Sequence, residues 1–412
     1  MGYKFNDKFK ISAKGSYYEL NKYDFLNDNV FENSQDFTYG ASAEYAFNPK
    51  SILNAAFHAD NYRRSDKFEK KDGHRLEYKN SIIQPRLTYA NTMLKNQAFT
   101  AGIEFYQESL YSDKFENNVY MSKSQWYTTA FIQDDWTINR QLSLIAGLRG
   151  DYHEEYGLHV TPKLSFMYKA SPFTIRLNYA RGYRSPTIKE LYMNWDHLGM
   201  FWIYGNKDLK PETNNYISLS GEYVNRWINC NVNVYSNWFR NKIEGMWSNN
   251  QKDLRYVNVG KSHLMGAEAM CKIKVCRYLN LFGSYNYLYT AKDENGVRLN
   301  SSSPHSGNVR AEFNSHVFGY GTVVNFTGNI MGKKKFDVQD QIEIDGKEVD
   351  AYYKARVKAF SMWDITVSQY IWKKFRVTLG INNLFDYTAD RVTFNTSTTP
   401  GRIYFVACNF TL

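Results

Sequence analysis

One histidine lies inside the most aromatic connection of the chain. From Arg181 to Glu212 the sequence reads RGYRSPTIKELYMNWDHLGMFWIYGNKDLKPE. It gathers Tyr183, Tyr192, Trp195, Phe201, Trp202 and Tyr204, with Met193 and Met200, around His197. A long connection is usually functional or disordered, and a disordered one is poor in aromatics. This stretch therefore reads as a folded loop that binds something flat and apolar. His197 is the side chain in it best suited to ligate a metal.

The elements that must hold this loop are strands. In Phe173–Ala180, Phe173, Ile175, Leu177 and Tyr179 alternate with Thr174, Arg176 and Asn178. The same period of two recurs in 216–223, 228–237 and 375–382, and it means strands with one apolar and one polar face. About 18 such strands, each of roughly 8 to 14 residues, fit the length that crosses a bilayer. Their connections take turns in length. Short ones fall at 47–50, 93–96, 139–141, 169–172, 224–227, 274–278, 314–316 and 372–374. Long ones fall near 21–35, 64–75, 109–124, 152–160, 185–214, 245–255, 291–306, 331–357 and 386–400. That alternation predicts an all-β, transmembrane, antiparallel up-and-down β-barrel in a bacterial outer membrane, with short periplasmic turns and longer extracellular loops. An open sheet edge is excluded from hydrocarbon, so the sheet must close.

Composition agrees with this and narrows the classes. Aromatic residues make up 17% of the 412, with 34 tyrosines, as expected where lipid-facing and lumen-facing residues alternate. The net charge is +10, but Lys and Arg are scattered and no nucleic-acid motif occurs. Cys230, Cys271, Cys276 and Cys408 show no CxxC metal spacing and read as small apolar fillers. No nucleophile–base pair, paired-carboxylate site or metal cluster carries a recognisable motif, so no enzyme is expected. No composition break divides residues 1–412, and no signal peptide follows Met1.

Three stretches carry a resemblance to the TonB-dependent outer-membrane receptors: ARGYRSP…KELY…GNKDLKPE in Tyr179–Glu212, FIQDDW with GLRGDY in Phe131–Asp151, and GINNLFD followed by the last strand in Leu379–Leu412. The resemblance implies a barrel of 22 strands behind an N-terminal plug. Residues 1–412 are thus expected to be a partial barrel, lacking the plug and the first strands. The TonB complex would then be contacted through a missing N-terminal segment.

Within that family the chain is most similar to the haem and haemoglobin receptors. Tyr183, Arg184 and Pro186, with Ser185 where the group has Ala, match its first loop motif; Asn206, Asp208 and Leu209, with Lys207 where the group often has Pro, match its second. The resemblance implies that His197 ligates haem iron. Tyr192, Met193, Trp195, Met200 and Tyr204 would line the porphyrin, with Phe201 and Trp202 as further wall candidates. Lys207 or Lys210 would meet the propionates. Tyr183, Arg184, Pro186, Asn206, Asp208 and Leu209 are assigned to loop shape, and Arg176, Glu222 and Arg376 to a charged inner wall. The expected partners are haem or a haem protein and outer-membrane lipid. A surface lipoprotein is left open, as are a siderophore or cobalamin ligand and a passive porin-like channel.

Overall fold

The alternation of residue types becomes strands along nearly the whole chain. The computed structural model describes all residues except 1, 24–29, 69–72, 116–118, 198–200, 248–252, 292–302, 318, 345–346, 373, 390–398 and 411–412. The strands run β1 (Gly2–Lys4), β2 (Phe9–Tyr23), β3 (Val30–Asn48), β4 (Ser51–Phe68), β5 (Gly73–Asn91) and β6 (Gln97–Ser112). They continue as β7 (Met121–Thr137), β8 (Leu142–His153), β9 (Gly157–Ala170) and β10 (Phe173–Arg184). A helix α1 (Ile188–Tyr192) and two short strands, β11 (Asn194–His197) and β12 (Phe201–Tyr204), come next. Then follow β13 (Glu212–Val224), β14 (Ile228–Trp247), β15 (Asp253–Lys274), β16 (Leu279–Thr290), β17 (His305–Val317) and β18 (Tyr320–Met331). The last are β19 (Lys334–Ile344), β20 (Lys347–Val357), β21 (Phe360–Trp372), β22 (Phe375–Asn382) and β23 (Ile403–Phe410).

Setting aside β1 and the four strands that lie within connections (β11, β12, β19 and β20), 18 long strands remain among the described residues. That is the number the alternation predicts. The strands are longer than expected, up to 22 residues in β15. Several predicted loops are strand instead. Only three residues part β8 from β9, although 152–160 reads as a long loop. Polar residues such as Arg63 and Lys79 continue the ladder beyond the apolar stretch, so loss of apolar alternation does not end these strands.

The chain forms two compact units. One comprises Met1–Phe166, Tyr179–Asn215 and Phe239–Gly260; the other comprises Met167–Asn178, Tyr216–Trp238 and Lys261–Leu412. In the first, β1 to β8 pair antiparallel with their sequence neighbours. In the second, β15 to β18 and then β21 to β23 do the same, and β19 with β20 forms a separate hairpin.

The faces of these strands are reversed relative to a soluble protein. In the second unit Phe173, Ile175 and Leu177 are exposed. Thr174 between them is buried, Arg176 pairs with Glu222 at 3.0 Å and Asn178 donates to Ser218 at 3.2 Å. The first unit repeats this: Ile103 and Ile132 face outward, while Arg149 holds Asp151 at 2.7 Å beside the buried Thr129. Contiguous exposed apolar surface of this extent would cause a soluble protein to associate. Facing acyl chains, it is at equilibrium.

One expectation is corrected. Cys230 and Cys271 are not separate fillers but a disulfide, with Cα atoms 4.1 Å apart. Adjacent strands bring them together across 41 residues of sequence, a pairing that spacing could not reveal. Cys276 and Cys408 are free.

Candidate binding loop

The loop between β10 and β13 folds from its own sequence. Thr187 caps α1, accepting from the Glu190 backbone N–H at 3.2 Å, while the Glu190 carboxylate accepts from the Thr187 N–H at 2.8 Å. This reciprocal pair satisfies two donors that a helix start leaves open. Asn194–His197 then turns back on Phe201–Tyr204 as a hairpin, and Trp202 and Tyr204 extend it by parallel pairing with Asp253 and Arg255 at the start of β15.

Arg184 joins the two ends of the loop. Its guanidinium donates to both Glu190 carboxylate oxygens at 3.1 and 2.9 Å and pairs with Glu212 at 3.0 Å. Glu212 in turn accepts from the Ile243 N–H at 3.0 Å. The planar fork of arginine can serve two carboxylates at once, so Arg184 sets how β10, α1 and β13 meet. Pro186 is fully buried beside it in sequence.

The second motif anchors the return. Asn206 donates its side-chain amide to the Tyr256 carbonyl at 3.0 Å, and its side-chain oxygen accepts from the Asp208 N–H at 2.9 Å. Leu209 is 2% exposed and packs with Leu191 and Ile243. Asn258 binds the Lys210 N–H and carbonyl at 2.7 and 2.8 Å. Asn206, Asp208 and Leu209 thus make contacts that hold the return of the loop.

The expected ligand contacts separate into two groups. Met193 is 4% exposed and packs in one core with Ile188 of the loop, Leu110 near the end of β6 and Phe115 just past it, and Trp195 packs against that core. Tyr192 borders both clusters, and its ring carries Lys123 Nζ at 5.1 Å and Lys207 Nζ at 5.9 Å. Burial pushes its hydroxyl up, with Lys207 opposing the shift. Tyr204 carries the Arg255 guanidinium at 4.8 Å and stacks with Trp202 at 6.1 Å. The His197 backbone pairs with Phe201; its side chain, and all of Met200, lie outside the described residues.

Two partners of this site escape sequence reasoning. Lys123 and Arg255 arrive from β7 and β15, and nothing near them in sequence marks them. Two further histidines prove structural. His153, expected in a loop, ends β8 and is 1% exposed; His159 lies in β9 with its ring 4.0 Å from that of Tyr183.

A sheet with lipid-compatible outer faces, polar inner faces and an ordered aromatic loop defines an outer-membrane β-barrel of the receptor type. Residues 1–384 match the model of the TonB dependent receptor-like, beta-barrel family, and the chain belongs to that family. It is 27% identical over 243 residues to the iron-regulated outer membrane virulence protein of Vibrio cholerae, covering 52% of this chain and 37% of that one. It is 25% identical over 278 residues to the ferrienterobactin receptor of Escherichia coli, covering 62% and 36%. With the vitamin B12 transporter BtuB of Vibrio cholerae it shares 22% over 334 residues, covering 79% and 49%. The chain thus spans less than half the length of these relatives. The solved ferric enterobactin receptor PfeA of Pseudomonas aeruginosa, in complex with enterobactin, shares the fold with a TM-score of 0.83 at 16% identity, covering 99% of this chain and 69% of that one.

Proposed function

We propose that this chain is the barrel portion of a TonB-dependent receptor whose 185–214 loop captures an anionic, aromatic iron chelate at the cell surface. The observation that carries this is Tyr192, an aromatic face between Lys123 and Lys207 on a loop whose backbone is fixed by packing. Longer connections of such barrels face outward, which puts the loop in the path of incoming ligand. Flat aromatic groups suit the Tyr192 and Trp202–Tyr204 rings, and negative charge suits the lysines. Uptake would draw on the TonB complex through a segment outside residues 1–412.

Two ligands have this chemistry. A ferric siderophore with aromatic chelating groups is favoured by the names of the relatives. Haem, free or from a haem protein, is favoured by His197 between the two loop motifs. Cobalamin lacks the multiple anionic groups. Haemin and a ferric catecholate titrated separately into the detergent-solubilised receptor distinguish them. A Soret shift that His197→Ala abolishes establishes haem; tryptophan quenching by the ferric catecholate alone establishes the siderophore. Binding of neither would sink the proposal and leave a passive channel.

A further inference from the structure

A second site lies on the opposite, lipid-facing side of β4 to β7. There Arg63, Lys79, Ser81, Ser109, Tyr111 and Ser122 line a cavity of about 580 Å³. The register makes them neighbours: Arg63 stands opposite Lys79, Lys79 opposite Tyr111, Ser81 opposite Ser109, and Tyr111 opposite Ser122. They share the outward face with Phe57, Ile83, Ile103 and Ile132, all exposed. Those apolar residues lie nearer the short turns at Asn48–Ser51, Asn91–Gln97 and Thr137–Leu142. A tilted strand crosses the hydrocarbon in roughly 9–11 residues, so the cavity stands at the end of the apolar band on the long-loop side. Tyr111 and Tyr120, stacked at 5.6 Å, sit there as interfacial aromatics do.

The charges make this more than a polar margin. Two cations directly opposite each other on paired strands repel. Among the described residues neither Arg63 nor Lys79 has a carboxylate partner, whereas inward-facing Arg64 holds Glu32 at 3.2 Å. Among the described residues no acidic side chain lines the cavity. The Ser81 hydroxyl donates to Asn61 at 3.0 Å, and the Tyr120 hydroxyl closes the rim on the Leu76 carbonyl at 2.6 Å. An anion bridging the two cations removes their repulsion, and the surrounding hydroxyls suit a sugar. We propose that this cavity holds the phosphate of a phosphorylated glycolipid headgroup in the outer leaflet, an annular lipid site separate from the Tyr192 loop.

The test is native mass spectrometry of the receptor extracted from outer membranes in mild detergent. The parent protein is expected to retain phosphorylated glycolipid, and the Arg63→Ser, Lys79→Ser double variant to lose at least about five-fold of that adduct. The Arg63→Lys, Lys79→Arg double variant should keep it, which separates loss of charge from loss of fold. Glycolipid stripped of phosphate should not be retained. Equal retention by the Ser variant, or equal retention of the dephosphorylated lipid, would overturn the proposal. So would a phosphate adduct, with no glycolipid, on the parent protein, which would make the ligand a free anion. None of these outcomes touches iron-chelate capture, because no residue of this cavity belongs to the loop.

Discussion

At the scale of residues, the loop depends on a few side chains that each serve two partners. Arg184 is the clearest, since Glu190 and Glu212 both lean on it. Lysine in its place supplies a point charge without the fork. Arg184→Lys is therefore expected to cost about 1–3 kcal/mol, read as a lower melting temperature and faster proteolysis within 185–214, with a larger effect for Arg184→Ala. Tyr192 works in the opposite direction, as one ring shared by two cations. An anion beside either exposed ammonium gains a screened charge interaction of about 0.5–1 kcal/mol. Lys123→Gln and Lys207→Gln should thus each weaken an anionic ligand about two- to five-fold by tryptophan quenching, with little change for a neutral one. The motif around Arg184 was legible in the sequence because Glu190 and Glu212 lie within the same stretch, whereas the Tyr256 partner of Asn206 lies outside it. Lys123 and Arg255 were not legible, because pairing across strands brings them in from distant residues.

At the scale of elements, the described residues of the loop form a small packed structure. One close backbone approach is at Gly205, whose N–H donates to the Met193 carbonyl at 2.8 Å. A Cβ there would meet the Leu191 and Tyr192 backbone at 2.8 Å, which no rotamer change relieves. Gly205→Ala should therefore loosen α1 from β12, exposing backbone amides between 188 and 205 to hydrogen exchange and weakening ligand binding while the barrel still folds. The all-β reading misses the helix, whose Thr187 and Glu190 form a capping box. Met193, by contrast, reads as a ligand contact and turns out to be core. Composition reports that a loop is apolar; it does not report whether a given side chain faces its own loop or a visitor.

At the scale of the molecule, alternation in residue type and in connection length was enough to give the architecture. Each strand carries its facing in every second residue, while connection length is a looser guide, since only three residues part β8 from β9. Strand ends were less legible, because polar residues continue the ladders past the apolar band. The disulfide was illegible, because Cys230 and Cys271 meet only through strand pairing. Both thiols should resist alkylation until the denatured protein is reduced, while Cys276 and Cys408 react without reductant; four reactive thiols in the unreduced denatured protein would refute the pairing.

Capture of an anionic iron chelate beside Tyr192, Lys123 and Lys207 is the central proposal. Equilibrium titration of the receptor in outer-membrane vesicles, with haemin, a ferric catecholate and cobalamin side by side, tests it most directly. The expected result is saturable binding of haemin or the ferric catecholate, weakened about four-fold or more in the Lys123→Gln, Lys207→Gln double variant as two charge contacts to the anion are lost. Binding of cobalamin alone, or chelate binding indifferent to both lysines, would contradict it.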